Sequence, residues 1–113
     1  MSESIEQLMS QCTGSEIFYR FPLSRAVYTE GVNLFVEKCG AWWFVVDAIT
    51  TSASLKQPFV AVKLLVKNGK ADVLYTDGDE VVLKKKHYSY TDCQDCDLTF
   101  YYIDNTFLYS GEY

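Results

Sequence analysis

Four groups of residues have types and spacing that could do chemistry. Cys93-Gln94-Asp95-Cys96 is a C-x-x-C pair, and His87 lies six residues before it. Read functionally, the pair is half of a zinc site, with His87 as a third ligand. A second ligand pair is missing, since Cys12 and Cys39 are isolated in the sequence. A redox reading needs the motif at a helix start in a βαβ context, and none is legible here. The favoured reading of Cys93, Cys96 and His87 is a surface turn with incidental thiols, and neither metal nor cofactor is expected. Lys84-Lys85-Lys86-His87, with Tyr88 and Tyr90, is the densest cationic cluster. It could be a strip on which bases stack. Strand alternation opposes this, because Lys84 and Lys86 would face away from Lys85 and His87. Lysines also guard sheet edges, which is the favoured reading.

The third group is acidic: Asp77, Asp79, Glu80, Asp92, Asp95 and Asp97. Aspartate favours turns, and that is the plainest account of them. The functional account is a negative surface that imitates phosphate and occupies a partner's basic groove. The fourth is Asp47, set inside Trp42-Trp43-Phe44-Val45-Val46-Asp47-Ala48-Ile49. A buried carboxylate must find donors or stay protonated. Arg25, Tyr28 or a backbone N–H could serve, which makes Asp47 a structural anchor before it is a base. No nucleophile stands with a base, and no phosphate-binding glycine loop is present.

The elements that position these groups follow from pattern. Residues 2–12 suit a short helix, with Ser4 as N-cap and Ile5, Leu8, Met9 and Cys12 on one stripe. Residues 16–21 are β-prone, and 23–31 read as a connector. Thr29 is the expected N-cap of a helix over 30–39, with Val32, Phe35, Val36 and Cys39 on one face and Gly40 after its end. Gly31 in its first turn is a mild cost. The tryptophan stretch, from Ala41 to about Ser52, is read as a second helix in a hairpin with the first, with Thr50–Ser54 as a polar exit. From Phe59 the chain alternates in strand fashion. Asn68-Gly69 sets a two-residue hairpin in which Lys67 faces Lys70, Val66 faces Ala71, Leu64 faces Val73 and Val62 faces Tyr75. All three inner pairs are apolar, so register and turn agree. Strands follow over about 80–90, 98–103 and 106–109, with 91–97 as a loop. The expected fold is one α+β domain over 1–113, with N-terminal helices packed on a C-terminal antiparallel meander of about four strands.

Composition bounds the rest. The chain has 113 residues, a net charge of −5 and 49% hydrophobic residues. That is one domain with enough apolar mass for a core. No apolar run approaches a membrane span. Met1–Ser10 carries two glutamates and no lysine or arginine, unlike a signal peptide, so a cytoplasmic location is expected. An acidic chain is repelled by phosphate, so a basic protein is expected as partner rather than nucleic acid or membrane. Nine tyrosines, among them Tyr101, Tyr102, Tyr109 and Tyr113, suit an interface or the outer half of a sheet core.

Phe21-Pro22-Leu23-Ser24-Arg25, Tyr28-Thr29-Glu30-Gly31, Gly40-Ala41-Trp42-Trp43 with Asp47-Ala48-Ile49, Tyr90-Thr91-Asp92 and Gly111-Glu112-Tyr113 occur together in this chain. In these motifs it resembles a family of small uncharacterised single-domain proteins of bacteria, plasmids and phages. The resemblance spans most of the chain and implies a mobile-element origin. It implies no reaction and no catalytic residue, and Cys93 and Cys96 fall outside it. The leading expectation is therefore a binding protein that occludes a basic nucleic-acid-binding partner, as an inhibitor of a host defence system such as a CRISPR complex would. One alternative is a small enzyme of nucleotide or nucleic-acid metabolism using Asp47, His87 and the lysines. Another is a homo-oligomeric structural module held by exposed aromatics.

Overall fold

A computed structural model describes residues 5–11, 18–21, 25–79 and 81–113. The elements are α1 (Ile5–Met9), β1 (Phe18–Arg20), β2 (Val27–Thr29), α2 (Glu30–Cys39), α3 (Trp42–Leu55), β3 (Phe59–Lys67), β4 (Lys70–Thr76), β5 (Val82–Tyr88), β6 (Cys96–Ile103) and β7 (Thr106–Tyr109), closed by a 3₁₀ turn at Ser110–Glu112. The fold is α+β. The sheet has seven strands in the order β1-β2-β7-β6-β3-β4-β5.

The hairpin forms in the expected register: Lys67 faces Lys70, Val66 faces Ala71, Leu64 faces Val73 and Val62 faces Tyr75. Asn68 and Gly69 both take positive φ, which an Asn-Gly turn accommodates without strain. The expected meander is corrected in two respects. β6 pairs with β3, not with β5, so the fourth strand crosses back to the middle of the sheet. The segment read as a connector supplies β2, which runs parallel to β7 and carries β1 on its other side, so the sheet is mixed. β1 falls within the 16–21 segment read as β-prone, whereas β2, with three residues, is too short to show alternation, and that is why the sequence conceals it.

α2 begins and ends where its caps place it. Thr29 Oγ1 accepts from Val32 N at 3.4 Å, and Gly40 takes the left-handed conformation after the last turn. α3 is longer than expected. Thr50–Ser54 stays helical, with Ser54 Oγ donating to the Thr51 carbonyl at 2.6 Å, and Lys56 ends the helix at φ 53°. A polar run looks like a loop in sequence, yet a serine can bond back to its own helix. The predicted stripe of α1 holds at Ile5 and Met9, which are fully buried. Ser4 and Cys12 lie outside the described residues, as does Glu80.

Val32 and Phe35 of α2, with Phe44, Val45, Ala48 and Ile49 of α3, meet Val60, Val62, Leu64, Val66, Val73, Leu98, Phe100 and Phe107 of the sheet. Phe35, Phe44, Phe100 and Phe107 form a ring cluster with centroids 5.3–6.0 Å apart. Edge and offset contacts of this kind add to simple burial. The other face of the sheet carries Lys63, Leu65, Asp72, Lys85 and His87, all exposed. β5 is an edge strand, so Lys84 and Lys85 stand where lysines oppose strand addition.

Candidate functional site

The strands run between two ends. At one lie the Asn68-Gly69 turn, the end of β5 and the 89–95 loop, because Thr91 N donates to the Gly69 carbonyl and Asp95 Oδ1 accepts from Asn68 N at 3.0 Å. The α2–α3 corner sits there as well. Cys39 and Gly40, Trp43, Tyr88, Tyr90, Thr91 and Asp92 surround a cleft of about 360 Å³ on the helix side of the sheet. At the other end, Asp77 and Asp79 sit in the β4–β5 connection, where Asp77 Oδ1 accepts from Asp79 N and Val81 N. The acidic residues therefore do not form one surface. Asp92 and Asp95 lie at the cleft end, Asp97 lies beside Leu65 on the outer face of the sheet, and Asp77 and Asp79 lie at the opposite end. Asp77 and Asp92 each serve a local bond of a turn or loop, as aspartate chemistry predicts, while Asp95 ties its loop to the distant Asn68-Gly69 turn.

The cleft wall is held from behind. Asp47, on the sheet-facing side of α3, accepts from Lys86 Nζ at 2.8 Å and from the Tyr88 hydroxyl. Lys86 also donates to Thr51 Oγ1 at 2.7 Å, one helical turn along from Asp47. Asp47 is the structural anchor its sequence context predicts, but its partners are Lys86 and Tyr88 rather than Arg25 or Tyr28. Of the basic and aromatic cluster on β5, Lys86 and Tyr88 face this carboxylate, which holds the Lys86 ammonium while the Tyr88 ring lines the cleft. Strand alternation turns both inward with Lys84, toward Val73, Tyr75 and Ala71, and the carboxylate meets them. The Tyr75 hydroxyl is buried beside Thr51 without a hydrogen bond of normal geometry, and burial raises its pKa.

His87 points the other way. Its Nδ1 lies 2.7 Å from Asp72 on the open face of the sheet. Asp47, His87 and the lysines do not converge on one site: Asp47 meets Lys86 on one face, and His87 is on the other.

The thiols hold a second correction. Cys39 is not isolated. Cys93 and Cys96 are buried rather than in a surface turn, and the free thiols of Cys39, Cys93 and Cys96 lie side by side beneath the cleft, within reach of hydrogen bonds from Cys39 to Cys93 and from Cys93 to Cys96. Donation to Cys93 and burial push the Cys39 thiol far above its usual range. For Cys93, the bond from Cys39 pulls down, but the bond to Cys96 and burial outweigh it and the thiol is pushed up to about 12. The Cys39 and Cys93 thiols are therefore protonated and weakly nucleophilic at neutral pH. Among the described residues no group of three or more His, Cys, Asp or Glu is arranged to hold a metal, and His87 lies on the face away from the cysteines.

Tyr90 is the most exposed of the large hydrophobic side chains among the described residues, at 76%, and its hydroxyl donates to Asp92 Oδ1 at 2.6 Å. That bond raises the Tyr90 pKa and fixes the ring beside the carboxylate. Trp43 packs on Tyr88 with centroids 4.8 Å apart, inclined at 56°. Tyr88, Tyr90 and Asp92, singled out in the sequence, share the cleft with Trp43 and Cys39, which no sequence motif joins to them. The signal was present in the tryptophan pair at the start of a helix, where one ring is buried less completely than the core phenylalanines behind it.

A distant pair of motifs also meets. The Glu112 carboxylate accepts from Thr29 Oγ1 at 2.6 Å, Gly31 N at 3.1 Å and Tyr109 N at 3.0 Å. It thereby joins the chain's last turn to the start of α2. A Cβ on Gly31 would stand 2.4 Å from Glu112 Oε1, so glycine is what admits the carboxylate.

A family described as a family of unknown function (DUF6876) matches residues 3–113, and the chain belongs to it. No curated protein and no solved structure matches the chain.

Proposed function

We propose that this member of the family is a binding protein that docks its cleft end on a basic protein partner and so occludes it. The observation that carries the reading is the composition of that end. An exposed tyrosine, a half-buried tryptophan and a second tyrosine stand beside Asp92, Asp95 lies in the same 89–95 loop, and among the described residues no lysine or arginine lines the cleft. Aromatic anchors in a cleft rimmed by charge are the residues that carry binding energy at interfaces. The sign of the rim selects a cationic partner. Lys67 and Lys70, in the adjoining turn, stand on the outer face of the sheet and do not neutralise the cleft side. A groove evolved for nucleic-acid phosphate has the complementary charge, so a nucleic-acid-binding protein is the partner class. A mobile-element inhibitor of a host defence complex, a CRISPR complex among them, belongs to this reading.

The test is affinity capture from bacterial lysate at low and high salt. It uses the native chain, a double variant Asp92→Lys/Asp95→Lys, and a control Asp77→Lys/Asp79→Lys at the opposite end. Salt-sensitive capture of a basic nucleic-acid-binding protein by the native chain and the control, but not by the first variant, supports the reading. Equal capture by all three, or none by the native chain, refutes it.

A further inference from the structure

We infer that the cleft between the α2–α3 corner and the end of β5 is a receptor for a guanidinium group, and that an arginine side chain of the protein partner fills it. This rests on the docking proposed above and names what enters the site. Three aromatic side chains, Trp43, Tyr88 and Tyr90, line one cavity of about 360 Å³ with a single carboxylate, Asp92. Aromatic faces attract cations through their quadrupole, and the attraction grows where water is excluded. Arginine adds what lysine lacks: a planar head that stacks on rings and a fork that matches a carboxylate.

Each wall is fixed before any ligand arrives. The Tyr88 hydroxyl is spent on Asp47, whose charge Lys86 offsets, so Tyr88 offers its ring rather than its oxygen. Trp43 is set against that ring. Tyr90 is held by Asp92 Oδ1. Among the described residues Asp92 Oδ2 accepts no hydrogen bond, and it is the acceptor left for an incoming N–H. An anionic ligand would meet Asp92 with no compensating cation. A neutral planar ring would leave that oxygen unused.

The occupant is assigned to a protein rather than to free arginine because nothing in the lining offers a donor set for an α-carboxylate. Arg20, Arg25 and the lysines are absent from it.

The experiment is a nuclear magnetic resonance titration of the full chain, observing the Trp43 indole N–H and the Tyr88 and Tyr90 ring signals. The probes are acetyl-arginine methylamide, the neutral acetyl-citrulline methylamide, and free arginine. The blocked arginine is expected to shift all three residues and to saturate near about 1–10 mM, the range of one cation–ring contact plus one ion pair. The citrulline compound should leave them unmoved. Tyr90→Ala and Asp92→Asn, both at exposed positions that leave the core intact, are each expected to weaken the site about 3- to 10-fold. Equal shifts from citrulline, shifts confined to free arginine, or unchanged affinity in both variants overturn the assignment. The two readings fail separately. Binding of blocked arginine without any effect of Asp92→Lys/Asp95→Lys on partner capture leaves the receptor and removes the docking. Loss of capture without any shift from blocked arginine does the reverse.

Discussion

Substitution of Gly31 by alanine should destabilise this protein even though alanine is the better helix former. Gly31 is buried in the first turn of α2 at ordinary helical geometry, where Gly→Ala normally gains about 0.5–1 kcal/mol. Here the added methyl would lie 2.4 Å from Glu112 Oε1 and 2.9 Å from Oε2. The backbone has no reason to move, because the clash is with the end of a side chain. The carboxylate must leave instead. It then gives up Thr29 Oγ1, Gly31 N and Tyr109 N, three bonds of 2.6–3.1 Å to an ionised acceptor. Bonds to charged groups contribute about 1.5–3 kcal/mol when buried. Glu112 is half-buried, so a total of about 2–4 kcal/mol is expected for all three. Set against the gain in helix propensity, the net loss is about 1–3 kcal/mol. For a domain of this size that lowers Tm by roughly 5–12 °C. The assay is chemical denaturation of Gly31→Ala, Glu112→Ala and the double variant. Glu112→Ala should cost about 2–4 kcal/mol. In that background Gly31→Ala should change sign and stabilise, because the obstructing carboxylate is gone. A stabilising Gly31→Ala in the native background, or additivity of the two changes, would refute the reasoning.

Other consequences follow from the polar network and the thiols. Asp47→Asn should cost about 1–2 kcal/mol by urea melting, since Lys86 and Tyr88 lose a charged acceptor that is itself a third exposed. Tyr75→Phe should be neutral or stabilising by up to about 1 kcal/mol, because its buried hydroxyl forms no proper bond; a loss larger than that would show a working bond to Thr51. Cys93 is pushed up to about 12 from 9.0, so its contribution is fully present at neutral pH and is lost as pH rises from about 9 through 12. Melting temperature should fall over that interval, and less steeply in Cys93→Ala; a fall that begins near neutrality would contradict the assignment. Cys39 and Cys93 should react with iodoacetamide at pH 8 far more slowly than an unfolded control, and equal rates would mean that the thiol chain does not form.

Much of this fold was legible because local signals and tertiary demands agree. Thr29, the Val32–Phe35 spacing and Gly40 bound α2 on their own, and Asn68-Gly69 fixed a register that the apolar pairs seconded. What escaped was non-local. No pattern in Val27–Thr29 indicates a strand, because its pairing depends on β7, some eighty residues away in the chain. The crossing of β6 to β3 depends on which strand edge the helices leave open. Gly31 looked like a cost because its reason, Glu112, lies at the far end of the sequence. The site was half legible for the same cause. Tyr90 and Asp92 are neighbours in sequence, but Trp43 and Cys39 reach them only through the α2–α3 corner. The carboxylates, by contrast, looked like one group in sequence and were divided by the length of β4.

The central claim is that the cleft end covers a partner's nucleic-acid groove. It is tested most directly by competition on the captured partner. A labelled oligonucleotide is bound to that partner, and this protein is added in increasing amount. Displacement of the oligonucleotide by the native chain, and not by Asp92→Lys/Asp95→Lys, is the predicted result. A stable complex holding partner, oligonucleotide and this protein together would contradict it.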